Sequence, residues 1–288
     1  MRAFDLYEPR SIEEACSLLA QFDDQAAVLA GGTDLLVELK TGIINLAYLV
    51  NLKKIPELDY ITFDREKGLK IGALVTWTEL LESELIATHY PVLIKAGEVM
   101  ASSQIRNIAT LAGNICHASP AANGPVVLLL YEAECLIQGP NGRRTIPMTH
   151  LFEDVQRNSL QKGEILIEIN LPPPPPASGG TYYKFSARRA MDLAVVGVGA
   201  LTVVDRGIFE LVRIALGAVA PVPIRSTKAE DFLTGKKMED NTIREAARLT
   251  AASCNPISDI RASKEYRLEL VKELTFRAIK ESASGSHR

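Results

Sequence analysis

Ala26-Ala27-Val28-Leu29-Ala30-Gly31-Gly32-Thr33-Asp34 joins a short apolar strand, residues 26–30, to a turn that contains two adjacent glycines. Residues 35–40 then return to helical spacing, so the stretch predicts a strand–turn–helix unit. Paired glycines let the backbone adopt positive φ and approach a ligand closely. Successive N–H groups in such a turn, and at the start of the helix behind it, attract an anion. We therefore predict an anion site at residues 30–34, with a tight turn capped by Asp34 as the open alternative.

A second candidate site lies in residues 104–123, which are small, polar and without a clear period. A loop of this length is uncommon in a compact domain and is often functional. Gly113 permits a close approach, and the side chains around it that can donate hydrogen bonds are Thr110, Asn114, Ser119 and Asn123. Because buried polar groups need partners, this set suits a polar ligand such as a pyrophosphate with ribitol. A loop whose Asn and Ser side chains bond to each other is the alternative.

The composition excludes several classes of protein. The chain has 288 residues, 47% hydrophobic and 23% charged, which suits about two globular domains and not a disordered chain. A net charge of −3 provides no basic surface for nucleic acid. The 30–34 turn matches neither GxGxxG nor Walker A, the usual dinucleotide and nucleotide loops. The longest run of apolar residues and glycine, 193–201, is far shorter than the ~20 residues that span a bilayer.

The four cysteines, Cys16, Cys116, Cys135 and Cys254, are far apart and form no CxxC pair. Zinc and iron–sulfur sites normally use clustered thiolates, so we expect no metal centre in this chain. Four reduced thiols, with no apolar segment behind the N-terminus, predict a cytoplasmic protein without a secretory signal. His117 follows Cys116, but adjacent side chains often point apart. We therefore expect His117 to contact a ligand or pack the loop, and not to form a Cys–His dyad.

Five consecutive prolines, 172–176, followed by Ala177-Ser178-Gly179-Gly180, predict the boundary between two domains. Polyproline is stiff, whereas a glycine pair is flexible. Strands predicted at 181–187, 194–204 and 209–216 precede helices predicted at 227–233, 242–253 and 263–281. Strands followed by helices are typical of an α+β domain with an antiparallel sheet.

Five motifs occur in order along the chain: Ala30-Gly31-Gly32-Thr33-Asp34; Ile105-Arg106-Asn107 with Thr110-Leu111-Ala112-Gly113-Asn114; Ala118-Ser119-Pro120; Glu164-Ile165-Leu166 before Leu171-Pro172; and Tyr183-Lys184 with Arg188-Arg189 and Asp192-Leu193-Ala194. Together they resemble the FAD-binding medium subunit of molybdenum hydroxylases. That family includes the medium subunits of carbon monoxide dehydrogenase, bacterial xanthine dehydrogenase and nicotinate dehydrogenase. Each motif is weak alone, but their order makes the resemblance specific, and it covers essentially the whole chain.

The resemblance implies an α+β fold with two domains. Residues 1–174 would form an FAD-binding domain of the vanillyl-alcohol-oxidase (PCMH) type, with two subdomains divided near residue 55. Residues 179–285 would form an α+β domain like the C-terminal domain of carbon monoxide dehydrogenase flavoproteins, with a three-stranded antiparallel sheet and helical segments.

The resemblance also implies where FAD binds. The pyrophosphate would lie on residues 30–34 and 110–114, and Ser119 and Asn123 would reach the ribitol or phosphate. Leu166 would pack on the flavin or adenine, and Lys184 and Asp192 would lie near the flavin ring. Asn123 is a departure, because relatives often carry Asp there. The residues implied to bind the cofactor are Leu29, Ala30, Gly31, Gly32, Thr33, Asp34, Ile105, Thr110, Gly113, Asn114, Ser119, Asn123, Leu166, Lys184 and Asp192.

The implied role is electron transfer, with FAD as the cofactor and no catalytic residue in this chain. A large molybdopterin-binding subunit and a small [2Fe–2S] subunit would be its partners in a hetero-oligomer, with a dimer of heterotrimers as one arrangement. Electrons would pass from the [2Fe–2S] subunit to FAD, and then to NAD, a quinone or O₂. Relatives with a [4Fe–4S] cluster carry a cysteine-bearing insertion that this chain lacks. Two alternatives stay open: a self-sufficient FAD oxidoreductase of the same fold, and a non-catalytic assembly subunit that has lost FAD.

Overall fold

A computed structural model describes residues 3–188 and 191–286. The N-terminal part is a small three-stranded parallel sheet in the order β1-β3-β2, with helices between its strands. Its elements are β1 (Asp5–Tyr7), α1 (Ile12–Phe22), β2 (Ala26–Leu29), α2 (Leu35–Thr41) and β3 (Tyr48–Asn51). The strand–turn–helix unit predicted around residues 26–40 is therefore present as β2, the 30–34 turn and α2.

A second sheet of five antiparallel strands follows, in the order β4-β5-β10-β6-β7. Six helices lie between its second and third strands in the chain. The elements are β4 (Ile61–Asp64), β5 (Gly68–Gly72), α3 (Trp77–Glu82), α4 (Glu84–His89), α5 (Pro91–Glu98), α6 (Ser103–Arg106), α7 (Leu111–Cys116), α8 (Asn123–Leu130), β6 (Glu134–Gly139), β7 (Gly142–Pro147), β8 (Phe152–Asp154), β9 (Arg157–Asn158) and β10 (Ile165–Leu171). Strands β8 and β9 form a separate small hairpin.

The C-terminal part is an antiparallel sheet with three helices packed against it. Its elements are β11 (Gly179–Phe185), β12 (Val196–Asp205), β13 (Ile208–Gly217), β14 (Ile224–Arg225), α9 (Thr227–Leu233), α10 (Asp240–Ala252) and α11 (Lys264–Ser284). The three predicted strands and three predicted helices are all present. The structure adds β14, a two-residue strand that is too short to leave a pattern in the sequence. The predicted α+β fold class is confirmed.

One predicted loop is instead half helical. Residues 104–123 contain most of α6, the whole of α7 and the first residue of α8. Thr110 caps α7, because its hydroxyl accepts a hydrogen bond from the Gly113 N–H at 2.9 Å. Helices of four and six residues are too short for a 3.6-residue period to emerge, which is why the sequence suggested a loop.

Helix α8 joins the two parts of the molecule. All eight of its residues are buried, between α5 on one side and β12 and β13 of the C-terminal sheet on the other. Gly199 and Gly217 make room for it, since a Cβ at either position would meet a side chain of α8 at less than 3 Å. Among the described residues, no helix combines the length and apolar character needed to cross a membrane.

Candidate functional site

A cleft of about 490 Å³ lies between the parallel sheet and the five-stranded sheet. One wall is β2, the 30–34 turn and the start of α2. The other walls are α7 with the residue before it, and the segment from β9 to the start of β10. The residues implied by the resemblance that line this cleft are Ala30, Gly31, Gly32, Thr33, Asp34, Thr110, Gly113, Asn114 and Leu166. The fold thus brings the first, second and fourth sequence motifs together.

The 30–34 turn presents unpaired donors to the cleft. The backbone N–H groups of Gly32, Thr33 and Asp34 have no acceptor within residues 3–188 and 191–286. Gly32 has a φ of +72°, a conformation that glycine adopts without steric cost. The Asp34 side chain makes no capping hydrogen bond to α2. The turn is therefore not the Asp34-capped tight turn that was its alternative, and its donors remain available for a ligand.

The turn is packed directly against the segment that precedes α7. A Cβ on Gly31 would lie 2.1 Å from the Ile108 carbonyl oxygen, so only glycine permits this approach. The neighbouring residue, Ala109, accepts a hydrogen bond from Trp77 N–H at the start of α3. The two glycine-bearing motifs therefore support each other, although 78 residues separate Gly31 from Ala109.

Helix α7 contributes fewer free donors than the sequence suggested. The Gly113 N–H is taken by Thr110, and the Leu111 N–H bonds to the Val75 carbonyl at 3.3 Å. Asn114 differs, because its Oδ1 is buried and has no hydrogen-bond partner among the described residues. This oxygen lies 2.9 Å from where a Gly124 Cβ would be, so it faces α8 and not the open cleft.

The third wall was predicted only in part, at Glu164 and Ile165 of the fourth motif. It consists of residues 158–165, where Asn158 Nδ2 donates to the Cys116 carbonyl at 2.6 Å and ties the hairpin to the end of α7. Lys162 reaches across to Asp23, the residue that follows α1, and pairs with it at 2.5 Å. For residues 158–163 the only sequence signal was the polar Gln161-Lys162-Gly163 turn before β10, which is too ordinary to indicate a site.

A cluster of three polar side chains at the cleft was not predicted as a group. Glu38 on α2, His117 at the end of α7 and Gln156 between β8 and β9 meet there. His117 Nε2 lies 3.0 Å from Glu38 Oε1, and Gln156 Nε2 donates to the same oxygen at 3.3 Å. His117 was expected to contact a ligand or pack its loop, and the structure puts it on the cleft beside Glu38. Only tertiary structure could reveal the grouping, because the three residues are far apart in the chain.

Acidic groups dominate the charge of the lining. The charged residues that line the cleft within the described ranges are Asp23, Asp24, Asp34, Glu38, Glu164 and Lys162. The Arg144 guanidinium holds both oxygens of Glu164 at 2.7 Å and lowers the pKa of that carboxyl. Lys162 is already paired with Asp23. A phosphate bound here would therefore depend on backbone N–H groups and not on a lysine or arginine.

Six of the residues implied by the resemblance do not line the cleft: Leu29, Ile105, Ser119, Asn123, Lys184 and Asp192. Leu29 supports the turn from behind, with its Cδ1 2.8 Å from where a Gly32 Cβ would be. Ile105 packs against the main core, and Ser119 Oγ accepts from Ala121 N–H at 3.4 Å. These three side chains make packing contacts or hydrogen bonds within the protein and do not face the cleft.

Asn123 lies in the interface between the two parts of the molecule. It is 4% exposed; its Nδ2 donates to the Ala96 carbonyl at 3.3 Å, and its Oδ1 accepts from the Tyr182 hydroxyl at 3.1 Å. Both ends of the amide are thus bonded within the protein. The expectation that Asn123 reaches a ribitol or phosphate is not supported by this geometry.

Lys184 and Asp192 hold a surface segment near the cleft. Lys184 Nζ donates to the Val99 carbonyl at 3.1 Å and to the Asp192 carbonyl at 2.7 Å, and burial lowers its pKa. The Arg188 N–H donates to the Asp192 carboxylate at 2.9 Å and lowers the pKa of that group. Met100, the neighbour of Val99, lines the cleft. The fifth motif therefore lies beside the cleft, while its Arg189 is outside the described residues.

No group of three or more His, Cys, Asp or Glu side chains in the described ranges is arranged to hold a metal ion. The four cysteines are free, and burial raises the pKa of Cys116 to about 12. A thiol with such a high pKa stays protonated at neutral pH and is a poor nucleophile.

Comparison with known proteins connects this architecture to a family. A family model described as the FAD binding domain in molybdopterin dehydrogenase matches residues 2–174. A second model, the CO dehydrogenase flavoprotein C-terminal domain, matches residues 181–282. Both matches lie in the order expected from the five motifs.

Individual relatives match along nearly their full length. The xanthine dehydrogenase FAD-binding subunit of Escherichia coli O157:H7 is 34% identical, over 96% of this chain and 94% of the relative. The carbon monoxide dehydrogenase medium chain of Hydrogenophaga pseudoflava is 31% identical, over 96% of each chain. A solved structure of carbon monoxide dehydrogenase from Hydrogenophaga pseudoflava superposes with a TM-score of 0.97 at 30% identity, covering 99% of both chains. The chain therefore belongs to the family of FAD-binding subunits of molybdopterin dehydrogenases of the xanthine and carbon monoxide dehydrogenase type, which are oxidoreductase subunits with FAD as their cofactor.

Proposed function

We propose that this chain binds FAD in the cleft between the 30–34 turn, α7 and β10, and relays electrons within a molybdenum-containing complex. The observation that carries the proposal is the row of unpaired N–H groups at Gly32, Thr33 and Asp34 on the wall of the cleft. Bound FAD supplies the redox chemistry, and the protein supplies binding, orientation and electrostatics.

The residues present suit such a cofactor. Successive backbone N–H groups bind phosphate oxygens well, and the three in this turn have no competing protein acceptor. Ala27, Val28 and Leu166 give the inner wall an apolar surface that excludes water from a ring packed on it. These groups bind and orient the cofactor, and none of them is positioned as an acid or base.

The proposed electron path runs from a [2Fe–2S] centre in a small partner subunit to FAD, and then to NAD, a quinone or O₂. A large molybdopterin-binding subunit would hold the substrate, and the complex would be a hetero-oligomer such as a dimer of heterotrimers. Support comes from the relatives, which are named as medium chains and as FAD-binding subunits.

We further propose that the domains are residues 1–174, divided near residue 55, and residues 179–285. The stiff 172–176 proline segment and the start of β11 at Gly179 support this division. Residues 1–2 lie outside the described ranges. A cytoplasmic location is proposed on the four free thiols, which persist in a reducing compartment.

The test is reconstitution of the full chain with FAD. We expect a flavin absorption spectrum that survives gel filtration, and quenched flavin fluorescence on binding. Co-expression with the neighbouring large and small subunits should recover a complex in which reduction at the molybdenum subunit bleaches the flavin. A folded chain that binds no FAD, alone or in the complex, would overturn the proposal. Turnover of a small substrate by the isolated chain would favour the self-sufficient oxidoreductase instead.

A further inference from the structure

The carboxylates of the cleft differ in how they are held. Both oxygens of Glu164 are taken by Arg144, and Asp23 is paired with Lys162. Asp34 is exposed and makes no capping hydrogen bond. Glu38 is half-buried, and its two hydrogen bonds, from His117 and Gln156, both use Oε1. Its Oε2 has no partner among residues 3–188 and 191–286, so one oxygen is fixed and the other is open.

This arrangement preorganises the carboxylate. Contacts from α7 and from the β8–β9 turn hold Glu38 in place, so little side-chain freedom is lost when the open oxygen gains a partner. A carboxylate accepts hydrogen bonds and cannot donate them. Its partner must therefore be a donor, and a phosphate is excluded because it would add a second negative charge.

The position of Glu38 relative to the 30–34 turn indicates which kind of hydrogen-bond donor its open oxygen binds. Glu38 follows Asp34 by four residues on α2, and its N–H donates to the Asp34 carbonyl at 3.0 Å. Glu38 therefore lies ~5.4 Å along α2, the rise of one helical turn, from residues 30–34. The free N–H groups of residues 32–34 are the ones proposed to bind a phosphate. That span is comparable to the length of a five-carbon sugar attached to a phosphate. Carboxylates are well suited to bind the vicinal hydroxyls of such sugars, as in dinucleotide-binding folds.

We propose that Glu38 is a sugar-hydroxyl recognition site, in which Oε2 accepts from vicinal hydroxyls carried next to the phosphate that the 30–34 turn binds. FAD has two groups of this kind, the ribose of its adenosine and the ribityl chain of its flavin. The proposal rests on FAD binding in this cleft. His117 and Gln156 are positioning residues, since both hydrogen-bond to Glu38 Oε1 and leave Oε2 to the ligand.

The test measures dissociation constants for FAD with the full-length apo chain, by flavin fluorescence and by calorimetry. Glu38→Gln keeps the size of the side chain and removes its charge, and we expect FAD to bind about tenfold more weakly. Glu153→Gln is the control, because Glu153 lies on β8 in an exposed pair with Arg157. It removes one negative charge from the same hairpin as Gln156 and should leave FAD binding unchanged.

Ligand fragments distinguish the two sources of hydroxyls. If Glu38 binds the adenosine ribose, Glu38→Gln weakens ADP and leaves FMN unchanged. The wild-type protein then binds 2′-deoxy-ADP more weakly than ADP, while the variant does not distinguish them. If Glu38 binds the ribityl chain, the variant weakens FMN and leaves ADP unchanged. The comparison of ADP with 2′-deoxy-ADP on the wild-type protein needs no variant to fold.

The positioning role has its own readout. His117→Ala should weaken FAD binding less than Glu38→Gln does, and His117→Gln should restore it, because a glutamine amide can reach Glu38 Oε1 from the same position. Unchanged FAD affinity in Glu38→Gln, or an equal loss in Glu153→Gln, would overturn the inference while leaving FAD binding itself intact. Failure of the wild-type chain to bind FAD would instead overturn the proposed function and the inference with it.

Discussion

At the scale of single residues, the 30–34 turn depends on two missing Cβ atoms for different reasons. Gly31 lets the turn contact the Ile108 carbonyl, where no side chain fits. Gly32 has positive φ, and a Cβ there would meet only the flexible ends of Leu29 and Leu36. Gly31 is thus required by packing between two segments, and Gly32 by the conformation that exposes the N–H groups.

We predict that Gly32→Ala lowers FAD affinity, because it disturbs the turn that presents the three free N–H groups. Gly42 is the matched control: it ends α2 with a φ of +76°, and a Cβ there meets nothing within 4 Å. Both substitutions should reduce the free energy of unfolding by about 1–2 kcal/mol, the usual penalty for an L-residue in the left-handed region. Urea denaturation and FAD titration check this. Equal losses of FAD affinity in the two variants would contradict the assignment of the turn.

Asp259 provides a residue-scale prediction of pH dependence. Burial alone would raise its pKa, but hydrogen bonds from the Arg261 N–H and the Arg267 guanidinium outweigh burial and hold it at about 2. Because the folded pKa is below the ordinary 3.8, the stabilisation is fully present above pH 4 and is lost as pH falls through 2.

In urea titrations between pH 5 and pH 2, Asp259→Asn should therefore be less stable than wild type at pH 5, and the two should converge toward pH 2. Asp231→Asn, which removes an exposed carboxylate on α9, should parallel wild type throughout. A constant difference between Asp259→Asn and wild type across this range would contradict the prediction.

At the scale of elements, α8 is held at both ends by the C-terminal part of the molecule. At its start, Asn123 bonds to Tyr182, and the Ala218 N–H donates to the Pro120 carbonyl at 2.6 Å. At its end, the guanidinium groups of Arg213 and Arg225 donate to the Leu130 and Leu129 carbonyls. Cations at a helix C-terminus satisfy its unpaired carbonyls and favour its dipole. The C-terminal sheet thus holds α8 in place, and α8 follows α7, which is one wall of the cleft.

Arg225 should be the most sensitive residue of this joint. It forms a bidentate pair with Glu230, with both contacts at 2.7 Å, and the two side chains are 15% and 8% exposed. Arg225→Ala leaves Glu230 buried without its cation, so we expect a loss of about 3–5 kcal/mol in the free energy of unfolding. Arg248→Ala removes an exposed pair with Glu245 and should change stability by less than about 1 kcal/mol. Similar losses in the two variants would contradict this account.

Elements also show where sequence reasoning was insufficient. The strands β11 to β13 and the helices α9 to α11 are long enough to carry a clear period, and they were predicted near their observed bounds. The short helices α6 and α7 were not, because four to six residues carry no period and their caps resemble loop chemistry. Because residues 111–116 form α7, some of the N–H donors expected on a loop at residues 110–114 are already hydrogen-bonded at the start of that helix.

At the scale of the whole molecule, the two parts share apolar surface and are not independent. Tyr182, Leu201 and Ala215 of the C-terminal sheet belong to the same buried cluster as the core of the N-terminal part. Across the interface, Lys95 pairs with Glu281 on α11 at 2.6 Å. Separation of the parts would therefore expose α8, all of whose residues are buried and mostly apolar.

We predict that a fragment ending at residue 178 is poorly soluble, because the removed sheet no longer covers α8. Burial of apolar surface is worth about 25 cal/mol per Å², so the exposed helix favours aggregation. Increased binding of a hydrophobic dye and early elution on gel filtration, relative to the full chain, are the expected observations. A monomeric fragment that binds no dye would show that the N-terminal part is stable without its partner.

The amino-acid sequence by itself determined the fold class, the family resemblance and the location of the first glycine turn. These follow from local features: strand and helix periods, paired glycines and ordered short motifs, each legible within a few neighbouring residues. Only the tertiary structure decided which of the implied residues line the cleft. It placed Asn123 and Lys184 in contacts within the protein, and it brought Glu38 to His117. Such groupings depend on packing between segments that are distant in the chain, 79 residues apart for Glu38 and His117 and 59 for Asn123 and Tyr182, and no local pattern records that packing.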